Sequence, residues 1–447
     1  MAGGETNGPA DLAEWWKNFG DTNLDSLIAT AIQSNLTLRV AEARVREARA
    51  QKDVISGNLW PSVGSSLGYT RNRFGLNSFP PLSGFGVPSS ELTYNLYNAD
   101  FDAAWELDIF GGTRRAVEAA NAQIGAAEYG ERDVLISLLA EVAGNYISAR
   151  ALQESLDIAD ETIRSAKYSL NLATNRFANG LGDELDVEQA KAFLTTSKAQ
   201  VPTLQAGFDN DVRALAVLLG QQPDALMNEM SAKKDIPLTP PLVPVGLPAD
   251  LLQRRPDVQK AERDLAAATA QIGVAKADLF PKFSLTGIAG LQSLSADSWF
   301  DIASRYYTLG PTVQWQIFQA GSIVANVRAK NARQEEALNQ FQQTILAALA
   351  DADNALTSYA KEQVRRESLA QSVQANQRAL ELATQLYKSG LTDFLHVLDA
   401  QTRLYATQDA LVNSDQNVSL DLVQLYKALG GGWEEETNPA PSMAAVR

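Results

Sequence analysis

The sequence predicts an α+β membrane protein whose single chain holds two tandem copies of one unit. Each copy supplies two β-strands of a membrane barrel and long antiparallel coiled-coil helices. Three observations predict this. The first is an internal repeat: Ala41-Glu42, Gln51 and Trp60-Pro61 recur as Ala261-Glu262, Gln271 and Phe280-Pro281 at one constant spacing. Trp105, Phe177, Gly180-Leu181 and Leu219-Gly220 recur as Trp315, Tyr387, Gly390-Leu391 and Leu429-Gly430 at a second, slightly shorter spacing. A unit this long is an internal duplication rather than a solenoid repeat. The other two observations are a pair of very long proline-free helical tracts and, before each, a stretch alternating with period two.

The elements follow in order. The first repeat spans 1–220, with an N-terminal arm and helix, a strand pair at 61–110, a long helix at 113–179 and a return helix at 184–219. A linker at 221–248 leads to the second repeat, 249–432, with a helix, a strand pair at 281–318, a long helix at 322–388 and a return helix at 392–430; an acidic tail, 433–447, closes the chain. At 1.5 Å per residue each long tract would reach about 100 Å if continuous. In the second, Leu338, Phe341, Ile345, Ala348, Ala352, Ala355 and Tyr359 step by three and four, a coiled-coil seam whose alanines allow close helix approach. Each long helix stops at a glycine, Gly180 or Gly390, and the chain turns back. Pro202 predicts a kink in the first return helix. Arg254-Arg255-Pro256-Asp257 reads as a helix start, with proline in the first turn and an acid beside it.

In the first strand pair Tyr97, Ala99, Phe101, Ala103, Trp105, Leu107 and Ile109 alternate with a polar, acidic set that includes Asp100, Asp102, Glu106 and Asp108. Val63, Leu67 and Tyr69 precede it. The second pair repeats the pattern with Phe283, Leu285, Leu291, Tyr307, Leu309, Val313, Trp315 and Ile317. Half-buried soluble strands would also alternate. Alternation in every strand, aromatic residues near strand ends and a glycine- and proline-rich loop at Phe74 to Pro88 fit an outer-membrane-type barrel better. Four strands cannot close such a wall, and an open edge cannot face lipid, so several copies must assemble.

Composition removes other classes. The chain has 447 residues, 45% hydrophobic, yet no apolar run near the 18 residues of a membrane-spanning helix. A net charge of −15 leaves no basic stripe for nucleic acid. With no cysteine and one histidine, His396, thiolate, disulfide and ordinary zinc sites have no ligands, and Ser/His/Asp or Cys/His catalytic sets have no members. We expect no enzyme activity and no cofactor; acids such as Asp351 and Asp353 read as solvated helix faces or channel lining. The opening residues, Met1-Ala-Gly-Gly-Glu, carry none of the features of an export signal, which is expected to have been removed if there was one.

Five separated motifs then point to a family. Trp105-Glu-Leu-Asp-Ile-Phe-Gly, Leu251-Leu-Gln-Arg-Arg-Pro-Asp-Val, Tyr387-Lys-Ser-Gly, Val397-Leu-Asp-Ala-Gln and Leu425-Tyr-Lys-Ala-Leu-Gly-Gly-Gly-Trp resemble the TolC-like outer-membrane factors (outer membrane efflux proteins), above all the lipoprotein branch serving RND multidrug pumps. The resemblance runs from Trp15-Trp16 to Trp433. It implies a homotrimer in the outer membrane of a Gram-negative bacterium: a β-barrel with four strands per protomer, an α-helical barrel reaching into the periplasm, and a small equatorial domain around Leu226 to Pro248. Members of that branch start at a lipidated cysteine, which is absent from this sequence.

The resemblance also implies site residues. Tyr387 matches the tyrosine of a latch that holds the periplasmic end shut, Asp186 its acceptor and Asp399 one aspartate of a closing ring. Thr392 stands where the latch arginine is expected and His396 where a second ring aspartate is expected; Leu395, one turn from Asp399, would add an apolar ring. Gly180-Leu181 and Gly390-Leu391 match the turns shown to a periplasmic adaptor. The acidic strand face, Asp100, Asp102, Glu106 and Asp108, would line the barrel lumen. Function is then that of a channel fed by an inner-membrane RND-type pump. A duct for protein secretion or metal ions, and from another class a soluble coiled-coil scaffold, remain as alternatives.

Overall fold

The computed structural model describes residues 12–73, 93–237 and 254–433. In chain order these form α1 (Thr22–Ser34), α2 (Leu36–Gly57), β1 (Ser62–Arg73), β2 (Thr93–Leu107), α3 (Gly112–Ala178), α4 (Glu184–Leu218), a short α5 (Met227–Met230), α6 (Pro256–Ala277), β3 (Lys282–Ser293), β4 (Arg305–Gln314), α7 (Ser322–Lys388) and α8 (Phe394–Ala428). Helices α3 and α7 are each unbroken over 67 residues. The strands are shorter than the sequence implies. β2 ends at Leu107 and β4 at Gln314, so Asp108, Ile109, Trp315 and Ile317 lie beyond the ladder. The loop Phe74 to Pro88, the last part of the linker (238–248), the first residues of the Leu251 motif and the acidic tail after Trp433 lie outside the described residues.

The chain divides into two compact units. One comprises Val45–Ala127 and Ala261–Phe341 and contains the sheet. Its strands are antiparallel in the order β1-β2-β3-β4, in a register that never slips: Ser62 faces Ala104 and Arg73 faces Thr93, Tyr97 faces Ser293 and Leu107 faces Phe283, Lys282 faces Gln314 and Leu291 faces Arg305. Every pair joins odd to odd or even to even, so the period-two pattern of the sequence becomes two chemically distinct faces. The helices attach through the same bond in both repeats. Trp105 Nε1 donates to the Leu59 carbonyl at 2.9 Å, and Trp315 Nε1 to the Leu279 carbonyl at 3.2 Å. Phe110 stacks on Phe280 with ring centroids 4.5 Å apart, closing the junction.

The other unit, Met1–Arg44, Glu128–Lys260 and Gln342–Arg447, is helical. In α3 the buried alanines Ala159, Ala166 and Ala173 recur every seven residues, which lets a neighbouring helix pack close. The seven seam residues of α7 are all buried or half-buried, whereas Leu346, Val364, Leu382 and Leu386 of the same helix are exposed. The main core gathers Trp15, Phe19, Ile28, Tyr146, Leu215, Leu422 and Tyr426, with Trp15 stacked on Tyr426 at 5.3 Å. Arg150 is fully buried there; it donates to Gln153 Oε1 and the Ala232 carbonyl and lies over the Tyr146 ring.

Two local features of the sequence take definite form. α4 runs through Pro202 without ending, although proline cannot donate to the Lys198 carbonyl. Asp351 is no free surface acid: Arg255 holds it at 3.2 Å while gripping Asp257 with a two-pronged contact and donating to the Ala428 carbonyl. The Arg-Arg-Pro-Asp motif thus starts α6 at Pro256 and ties it to α7 and α8.

Candidate functional site

The two helical turns are built alike. Gly180 and Gly390 both take the left-handed conformation, φ 68° and 72°. At each, the glycine N–H returns to Phe177 or Tyr387, and the following leucine N–H reaches back to Arg176 or Leu386 at 2.8 and 2.9 Å. This is the paired bonding of a glycine-terminated helix, and a side chain at either glycine would force an unfavourable backbone. Leu181 and Leu185 on one turn, and Leu391 and Leu395 on the other, stand exposed in repeat-related pairs.

Behind the turns, a small core of Ala173, Ala190, Tyr387, Phe394 and Val397 joins the hairpins. Tyr387 is only 2% exposed, packs on Phe394 at 5.3 Å and donates its hydroxyl to Asp186 Oδ2 at 3.0 Å. Burial, together with that carboxylate, pushes its pKa up to about 12. Arg176 completes the junction. Its guanidinium lies 4.8 Å over the Tyr387 ring, donates to the Tyr387 and Lys388 carbonyls at 2.9 and 3.1 Å, and donates to its own turn at Leu181 at 2.9 Å. One cation thus satisfies carbonyls at the C-terminal ends of both long helices.

The ring candidates differ in setting. Asp399 is exposed and ion-paired within its own helix, accepting from Arg403 Nε at 2.8 Å. His396 is exposed on the same helix, its backbone N–H donating to the Asp393 carbonyl, and Thr392 is half-buried in the turn. Two residues after Asp399, buried Gln401 donates to Ser165 and Ser169 of α3 at 3.0 and 2.8 Å.

On the sheet, Asp100, Asp102 and Glu106 share the even-numbered face. Asp100 accepts from Ser66 at 2.9 Å, from Asn98 at 3.1 Å and from Tyr306 at 3.2 Å. Glycines make room for these groups: a Cβ on Gly64 would meet the Asp102 carboxylate at 2.6 Å, and one on Gly290 would meet the Asp100 Cβ at 2.6 Å. Asp108 does not belong to this face, because the ladder has ended. It caps α3, accepting from the Thr113 and Arg114 backbone N–H groups at 3.1 and 2.8 Å and from Arg114 Nε at 3.2 Å. Burial opposes its charge, but those donors outweigh it and hold its pKa below the usual carboxylate value.

A family profile described as "Outer membrane efflux protein" matches residues 27–221 and 247–431, one match to each repeat. The chain belongs to the outer membrane efflux protein family. It is 34% identical over 427 residues to the pyoverdine export outer membrane protein OpmQ of Pseudomonas aeruginosa, covering 96% of this chain and 89% of that protein. It is 33% identical over 434 residues to the probable efflux pump outer membrane protein TtgC of Pseudomonas putida, covering 97% and 88%. The solved structure of the outer-membrane channel OprN superposes with a TM-score of 0.90 at 35% identity, covering 97% of this chain and 95% of that one. The resemblance first read from five motifs therefore extends along nearly the whole chain.

Two residues of this efflux-family chain escaped the sequence reading. Arg176 carried a usable signal, a cation in the last turn of a helix that ends at glycine, but nothing in sequence foretold that it would also reach the other hairpin. Arg403 stands four residues after Asp399, a spacing that favours an ion pair on one helix face.

Proposed function

We propose that this chain is the exit duct of a tripartite efflux system: a homotrimer in the outer membrane, opened by a periplasmic adaptor and fed by an inner-membrane RND-type pump. The sheet carries the proposal. One face is mostly apolar and much of it is exposed, and among the described residues β1 and β4 each leave one edge unpaired. In lipid an unpaired backbone edge costs several kcal/mol per group, so the strip must close against further copies, β4 of one beside β1 of the next. The exposed leucine and valine stripe of α7, separate from its packed seam, fits helix contacts between the same copies. The even face then lines the lumen with Asp100, Asp102 and Glu106.

At the helical turns, Tyr387, Asp186, Leu395, Asp399 and His396 form the gate, and the exposed Leu181 and Leu391 beside Gly180 and Gly390 receive the adaptor. The duct is passive, without reaction or cofactor. The names of OpmQ and TtgC, pyoverdine export and efflux, support small-molecule cargo. Mass measurement on detergent-purified protein, with fractionation of native membranes, tests the reading. A trimer in the outer-membrane fraction is expected; a water-soluble monomer with intact helicity overturns it.

A further inference from the structure

Arginines and acids on the sheet are sorted by face, while the one strand lysine, Lys282, stands on the even-numbered face at the helix end of β3 and pairs with Asp278. Within the strands all three arginines, Arg71, Arg73 and Arg305, are odd-numbered, and all three acids, Asp100, Asp102 and Glu106, are even-numbered. Because the register joins odd to odd, the three guanidinium groups share the apolar face with Leu67, Phe101 and Leu309. All three are exposed, and none is ion-paired to a carboxylate among the described residues. They also share one end of the sheet. β1 runs away from α2 toward Arg73, and β4 begins at Arg305 and runs toward α7, so the arginines stand at the end remote from the helices. An aromatic group lies between the row of Arg71 and the row of Arg305, Tyr69 on Tyr97 at 4.9 Å and Tyr97 against Trp299 at 5.6 Å.

An arginine on a lipid-facing strand is costly at the bilayer centre and nearly free at the interface, where aromatic rings also concentrate. The guanidinium fork matches phosphate oxygens two at a time. We propose that Arg71, Arg73 and Arg305 form a docking surface for lipid phosphate groups, and that its occupant is the phosphorylated sugar headgroup of the outer-leaflet glycolipid. Arg71 and Arg73, two residues apart, present side chains about 7 Å apart on one face. Closure of the sheet places Arg305 of the adjoining copy on the neighbouring strand, which gathers the cations into one patch at each copy-to-copy seam. The inference rests on the outer-membrane reading above.

The test reconstitutes the full chain in phosphatidylcholine vesicles containing bisphosphorylated lipid A, fully dephosphorylated lipid A or phosphatidylglycerol. Lipid retained per protein after detergent extraction is measured, with protease protection of the strands as the insertion control. Wild type should retain bisphosphorylated lipid A at least threefold over the dephosphorylated form and over phosphatidylglycerol. The triple variant Arg71→Gln/Arg73→Gln/Arg305→Gln should lose that preference. The corresponding lysine variant, which keeps charge without the fork, should retain an intermediate amount, and it decides the matter if the glutamine variant does not insert. Equal retention of the three lipids by inserted wild type, or an undiminished preference in the inserted variants, overturns the docking surface and leaves the duct standing. Failure of wild type to insert overturns both.

Discussion

The Tyr387 hydroxyl meets the Asp186 carboxylate at 3.0 Å, directly beneath a guanidinium, Arg176, that bonds the carbonyl of Tyr387 itself. One aromatic residue is therefore held at its ring, its hydroxyl and its backbone by the facing hairpin. A hydrogen bond to a charged group contributes about 1.5–3 kcal/mol when buried, and less where the acceptor regains water, as half-exposed Asp186 would.

Tyr387→Phe and Asp186→Ala should therefore each raise planar-bilayer conductance modestly, shifting the opening equilibrium by about two- to tenfold. Arg176→Ala removes three carbonyl contacts and the ring contact, and should open the channel further than either. Conductance unchanged in all three would remove this junction from the gate. Alkali gives a second reading. The raised tyrosine pKa means the contact is complete below the ordinary value of 10 and is lost as pH passes about 12, so it should not respond between pH 5 and 9.

Cation block at the proposed gate should respond more to Arg403 than charge counting at Asp399 alone implies. Because Arg403 supplies a counter-charge four residues away, Arg403→Gln should leave a bare carboxylate and tighten block by multivalent cations, while Asp399→Asn should weaken it. The comparison is made in single-channel records at low ionic strength. Block that weakens in Arg403→Gln would show that the pair is not intact in the assembled channel.

At the sheet junction, Asp108→Ala removes an acceptor from two backbone N–H groups at the start of α3. Loss of such a cap costs about 0.5–2 kcal/mol. Thermal unfolding in detergent should shift downward, while ion selectivity should stay as in wild type, since the side chain lies beyond the end of β2, off the face proposed to line the lumen. A change in selectivity without a change in stability would return Asp108 to the pore lining.

Acid should stabilise the helical unit before it denatures it. Burial, reinforced by Asp257, raises the pKa of Asp133, and burial with nearby Asp415 raises that of Glu154; Asp421, beside Glu362, moves the same way. A carboxyl whose folded pKa is raised favours the folded state below its ordinary value and loses that contribution as pH rises through the raised one. The unfolding midpoint should thus climb as pH falls from 7.5 toward the ordinary carboxylate range. Asp133→Asn should raise the midpoint at pH 7.5 and flatten the climb; a midpoint that falls monotonically over this interval would contradict the assignment.

Much of the architecture was legible because two periodicities encode it directly. Period-two alternation from Tyr97 to Leu107 specifies faces before pairing is known, and the seam from Leu338 to Tyr359 specifies which side of α7 packs. Strand ends were not legible, since Ile109 and Ile317 continue the alternation after the ladder stops and only backbone pairing distinguishes them. Asp108 was misplaced for the same reason: its parity matches the lumen set, but its partners are helix N–H groups. Arg176 was invisible as a bridge because its acceptors are carbonyls, which leave no trace in side-chain identity.

The duplicated chain offers two chances to stitch its hairpins together and takes one. The spacing that matches Phe177 with Tyr387 also matches Asp186 with His396, so the mirror-related pair is a phenylalanine and a histidine. Phenylalanine has no hydroxyl to donate. Each chain therefore carries this bond on one flank and lacks it on the other, where Phe177 and His396 are both exposed, and the two turns, though built from the same bonds, are unequally tied. If the turns open as proposed, a force applied equally to both would move the flank without the bond first, giving that movement a handedness that the near-symmetry of the fold conceals.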